Sequence, residues 1–115
     1  MTLLERILKD AVPDVPFTRA RVEVLPPWLT KDLRCRIYIT GHHSEFWQKF
    51  TFRYPSWYQL AVKHNAVFAF EDTYLHRPVI DYCPWFREKE SLFLWLGETL
   101  CLPTTVVNLL MLLEK

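Results

Sequence analysis

Three groupings in the chain carry residue types capable of chemistry. Cys83 follows His76 and Asp81 closely, with Glu88 and Glu90 just beyond, the residue types of a thiol nucleophile and its base. No elbow glycine flanks that cysteine and no helix start is aimed at it, so nothing in the sequence lowers its pKa. His42 and His43 are adjacent, without the spaced cysteine or carboxylate partners that a metal centre uses. The only two glycines, Gly41 and Gly97, stand too far apart to form a phosphate-cradling loop or a dinucleotide fingerprint. The thirteen acidic residues form no obvious catalytic dyad. The expectation is a protein without catalysis, cofactor or metal.

The third grouping is made for binding. Leu33, Cys35, Ile37 and Ile39 alternate with Arg34, Arg36, Tyr38 and Thr40, the period of a half-buried strand. After Gly41-His42-His43-Ser44, Phe46, Gln48, Phe50 and Phe52 alternate with Trp47, Lys49, Thr51 and Arg53. Two such runs around a glycine-containing turn predict a β-hairpin. If the aliphatic and phenylalanine set faces the core, strand parity turns Arg34, Arg36, Tyr38, Trp47, Lys49 and Arg53 outward, together with Arg19 and Arg21. Cations interleaved with aromatic rings suit an acidic protein surface, and they also suit single-stranded nucleic acid through phosphate pairing and base stacking. Trp85, in the Pro84-Trp85-Phe86-Arg87 segment, is the second tryptophan expected at a binding surface.

The elements that must position these residues follow from local pattern. Thr2 and Glu5 have capping-box spacing ahead of a Leu3, Leu4, Ile7, Leu8, Ala11 stripe, which predicts a helix over 3–11. Alternation predicts a strand over 18–25, ended by Pro26-Pro27. Ser56 and Gln59 predict a capped helix ending near Asn65, and the apolar run 66–70 predicts a strand covered on both sides. Residues 72–84 read as a loop or weak edge strand because of Pro78. Helices are expected over 88–102 and 104–114, with Cys35 on a core-facing strand position and Cys101 inside a helix. The order αβββαβαα describes a single α+β domain over 1–115: an antiparallel sheet of three to four strands with helices on one face.

Length and composition agree with that class. A chain of 115 residues, 50% hydrophobic and 23% charged, can bury a core without staples. The net charge of +1 imposes no global field, yet 17–53 holds seven basic residues against three acids, and 71–114 holds seven acids against three basic residues. The amino-terminal segment is amphipathic and charged, unlike a signal peptide, and no apolar run approaches the ~20 residues of a membrane span. An odd count of scattered cysteines suits reduced thiols, so the expected location is cytoplasmic.

Two resemblances are short. Lys49-Phe50-Thr51-Phe52-Arg53-Tyr54 distantly resembles the aromatic strand of an RNA-recognition motif, without that motif's glycines. Leu96 to Leu110 resembles the helix-turn-helix of winged-helix transcription regulators, but the positions that would face a groove (Val107, Asn108, Met111 and Leu112) include no cation for phosphate. No DNA reading is carried over. The last helix is instead apolar almost all round, which predicts that Val107, Met111 and Leu112 meet a second copy of the chain.

The expected function is a non-catalytic protein-binding module, of the kind found in small inhibitor, immunity, antitoxin, phage or effector proteins. It would block an acidic protein partner through Arg34, Arg36, Tyr38, Trp47, Lys49, Arg53 and Trp85. A small nucleic-acid-binding protein using the same face is the alternative.

Overall fold

A computed structural model describes residues 1–25, 34–72 and 77–114, the side chains of 68–82 excepted. Nine elements follow in the order α1 (Leu3–Ala11), β1 (Ala20–Leu25), β2 (Arg34–Ile39), α2 (His43–Arg53), α3 (Trp57–Lys63), β3 (Val67–Asp72), β4 (Arg77–Trp85), α4 (Lys89–Leu100) and α5 (Thr104–Leu113). The class is α+β, with small antiparallel sheets against helices. β1 pairs with β2 and β3 with β4, and a bridge joins β2 to the residue after β4, in which Cys35 and Phe86 exchange backbone hydrogen bonds at 2.7 and 2.8 Å. The strand start expected at Leu33 lies outside the described residues.

α1 forms as its sequence dictates. The Thr2 hydroxyl accepts the Glu5 N–H at 3.1 Å, and the Glu5 carboxylate accepts the Thr2 N–H at 2.8 Å. The same carboxylate accepts the Ala20 N–H at 3.0 Å, so one buried side chain caps α1 and ties it to the start of β1. The capping box expected at Ser56 does not form; Ser56 makes no side-chain cap bond, although Asn65 does end that helix region with a left-handed φ of 60°. The stretch with Pro78 is a true strand, β4, paired along β3.

The largest departure is the second arm of the expected hairpin. The turn is present, with Gly41 at φ 88°, but the chain continues into a helix, α2. Phe46, Trp47 and Phe50 fall on one helical face and are fully buried, while Phe52 points away and is 86% exposed. Helical spacing therefore explains the burial where period-two alternation does not. The Trp47 indole meets Phe46, Phe50 and Trp95 at ring separations of 5.0, 4.9 and 6.1 Å. Around this cluster close Leu4 and Leu8 from α1, Cys35, Ile37 and Ile39 from β2, Phe86, and Leu92, Phe93 and Leu96 from α4.

α4 and α5 form a helical hairpin. Cys101 takes the left-handed position that ends α4, with φ 56°, and is exposed rather than buried within a helix. Gly97 is needed on α4 because a Cβ there would overlap the Val107 Cγ2 methyl of α5.

The two assignments of residues 46–53 differ sharply in what mutation does. Trp47→Ala is expected to cost about 3–5 kcal/mol by leaving a large cavity. Phe52→Ser is expected to stay within about 0.5 kcal/mol, as exposed sites do. Urea unfolding of both variants checks the pair; a hairpin in this segment would reverse the ranking.

Candidate cation–aromatic face

The outward face of β1 and β2 is assembled by cross-strand register. Arg21 stands opposite Tyr38, Glu23 opposite Arg36, and Leu25 opposite Arg34. β2 alternates strictly, with Cys35, Ile37 and Ile39 buried inward and Arg34, Arg36 and Tyr38 partly exposed on the other side. This half of the expected face is present as the alternation implied.

The guanidinium carbon of Arg36 lies 4.2 Å from the Trp85 ring centre and 5.8 Å from that of Tyr38, and Arg21 lies 5.3 Å from Tyr38. Such stacking is worth roughly 0.5–1 kcal/mol per contact at exposed sites and holds the guanidinium plane in place. Glu23 sits between the two arginines, 3.8 Å from Arg21 and 3.7 Å from Arg36. Tyr38 also stacks on His43 at 4.9 Å with 19° between the rings. His43 Nδ1 accepts the Ile39 N–H at 3.1 Å, which pins the first residue of α2 to the end of β2. Beside Tyr38 an open depression of about 330 Å³ is lined by Gly41, His42, His43, Ser44 and Glu45. Among the described residues the Nε of Arg34 and the indole nitrogen of Trp85 have no acceptor.

The remaining residues expected on this face are elsewhere. Trp47 is a core side chain, because α2 replaces the strand that would have turned it outward. Lys49 and Arg53 lie on α2, where they hold Asp14 at 3.0 and 2.9 Å and brace the turn after α1. Lys49 first, then Arg53, keeps the Asp14 carboxyl below its ordinary range. Trp85 belongs to the face but ends β4 and is only 5% exposed, so it is the floor under Arg36 and not a protruding anchor. Arg21, Glu23 and His43 complete the arrangement; of these only Arg21 was among the residues expected to face outward.

Cys83 is buried with its thiol 3.5 Å from the Ile37 carbonyl, and His76 and the Asp81 side chain lie outside what is described. Burial pushes the Cys35 thiol up to about 11, so it stays protonated. Among the described residues no three His, Cys, Asp or Glu side chains converge as a metal site, and no helix is long and apolar enough to cross a membrane. On α5, Val107 is buried against α4, Met111 is half-buried beside Phe93, and Leu112 is 64% exposed. The expected interface triplet is thus split, with Val107 committed inside its own chain. The chain matches no protein-family model, no curated protein and no solved structure.

Glu5 anchors the start of β1 and hence this face. The Thr2 N–H above all, then the Ala20 N–H, holds its carboxyl below the ordinary 4.5 against the upward push of burial. A depressed folded-state pKa means stability that is full above the unfolded value and is lost as pH falls through the folded one. Denaturant midpoints are therefore expected to drop below about pH 4.5, and Glu5→Gln is expected to flatten that acid limb. Glu5→Ala is expected to cost about 1–3 kcal/mol at neutral pH by orphaning both N–H groups. Urea titrations between pH 2 and 7 measure both effects.

Proposed function

We propose that the protein is a non-catalytic binding module whose working surface is the β1–β2 face, with an acidic protein as its partner. The observation that supports this reading is the pair of arginines set over the Tyr38 and Trp85 rings with the Glu23 carboxylate between them. Guanidinium groups fixed in this way present their edges to carboxylates with little rotamer entropy left to lose. The reading extends to a small inhibitor or immunity-type protein that blocks its target, working in a reducing compartment suited to three free thiols. A second copy meets it through α5, where Leu109, Leu112 and Leu113 present an apolar outer face.

Nucleic acid would use the same cations, so the test must separate the two. Tagged protein is used to capture partners from its native host lysate with and without nuclease, in parallel with Tyr38→Ala and Arg21→Ala variants. The expected result is one stoichiometric protein partner that survives nuclease and is lost from both variants. Recovery of nucleic acid alone, with affinity falling steeply as salt rises, overturns the reading. For the self-association, sedimentation of the native chain is expected to show a dimer and Leu112→Glu a monomer. A monomeric native chain removes that part.

A further inference from the structure

We infer that the open edge of β1 takes an extended acidic segment of the protein partner as an added strand. This rests on the binding face proposed above and names how that face is engaged. The register fixes which backbone groups point outward. Thr40 N–H donates to the Arg19 carbonyl at 2.8 Å, so residues 19 and 40 form a hydrogen-bonded pair. By antiparallel alternation the ladder bonds then belong to Arg21, Glu23 and Leu25, and the N–H and C=O of Ala20, Val22 and Val24 turn away from β2.

The fold treats these outward groups unequally. On β2, the equivalent groups of Cys35 bond to Phe86, and the Ile39 N–H bonds to His43. On β1, the Ala20 N–H bonds to Glu5. Val22 and Val24 form no backbone bond to another element among the described residues. Val24 is also 41% exposed at its side chain. Two consecutive outward positions with alternating donors and acceptors are a template for a peptide backbone, not for a phosphate chain.

A second copy of this chain is a poor occupant of this edge. A two-fold axis at Glu23 sets that carboxylate against its own symmetry mate. An axis at Val22 drives the Val24 carbonyl toward the carboxylate that already caps Ala20. An axis at Val24 would need residue 26 in the ladder opposite Val22, and a proline has no N–H to give there. A different chain escapes all three conflicts. Its alternate side chains on the outer side would lie beside Arg21, on a face that carries Arg21, Arg34 and Arg36 against Glu23. An acidic side chain beside Arg21 and an uncharged one beside Glu23 are the complement.

The probe is the eight-residue peptide Thr-Val-Thr-Val-Glu-Val-Glu-Val, which in antiparallel register sets threonine beside Glu23 and glutamate beside Arg21, titrated into the native chain and followed by amide exchange and chemical shift. Binding is expected to slow exchange of the Val22 and Val24 amides at least tenfold. The same peptide N-methylated on its edge-facing amides is expected to lose binding. Val24→Pro removes an N–H that the β1–β2 ladder does not use, so it is expected to keep the fold and weaken binding at least tenfold. Arg21→Glu leaves the backbone edge intact and is expected to weaken binding similarly. If the peptide shifts Arg36, Tyr38 and Trp85 signals but leaves the Val22 and Val24 amides unprotected, strand addition is overturned and the acidic-partner face stands. Absence of peptide binding overturns strand addition. Preferential binding of a thymidine octanucleotide overturns both readings.

Discussion

The burial of Trp95 is the constraint from which the rest of the structure follows. Its ring meets Trp47, Phe50 and Phe86 at 6.1, 5.7 and 5.4 Å, and its indole N–H donates to the Trp57 carbonyl at 2.9 Å. One side chain of α4 thus touches α2, the start of α3 and the bridge beside β2. The rotation of α2 about its axis is set by the need to bring Phe46, Trp47 and Phe50 to this ring. With that rotation chosen, Lys49 and Arg53 have to emerge on the side of Asp14. The described basic residues of 34–53 are thereby divided between two surfaces, Arg34 and Arg36 on the sheet and Lys49 and Arg53 beside Asp14.

The same constraint separates residues that hold the fold from those that do not. Ile37, Ile39 and Cys35 are fully buried, while their neighbours on β2 contribute through stacking and partly exposed ion pairs. Exposed pairs of that kind add only about 0–1 kcal/mol each. Arg21, with its side chain 63% exposed, is therefore close to dispensable for folding, yet its position is defined by Tyr38 and Glu23, whereas Arg36, stacked on the buried Trp85, also contributes packing. Order without a large share in stability is the condition under which a surface is free to serve recognition.

Much of this architecture was legible in the chain. The Thr2/Glu5 spacing, the Leu3 to Ala11 stripe and the strict alternation of Arg34 to Ile39 each have one physical solution, and each is found. Residues 46–53 have two, because Phe46 and Phe50 satisfy both period two and period 3.6. Aromatic residues favour strands intrinsically, which biases the reading, and Trp47 rather than Phe52 is chosen as core only by tertiary packing. A local signal for the helix does exist. Glu45 sits in its first turn and Arg53 in its last, complementing the helix dipole. The burial of Trp85 is hidden in the sequence for another reason: it lies beneath Arg36 only because β4 reaches the face of β2, a contact between distant segments. The Glu5 bond to Ala20 is equally invisible, since capping-box spacing says nothing about a third donor fifteen residues away.

The α4–α5 hairpin carries a consequence for how this sequence can change. Gly97 and Val107 occupy one shared volume, in which backbone on one helix meets a methyl group on the other. Ordinary helix propensity would favour alanine at 97 by about 1 kcal/mol, so the glycine is held there by its neighbour alone. The two positions are consequently coupled: side-chain bulk can move from 107 to 97, but it cannot be added at 97 while valine stays at 107. In a lineage of such chains, residues 97 and 107 would drift as a pair conserving their summed volume, and the distance between the helices would be inherited more faithfully than either residue.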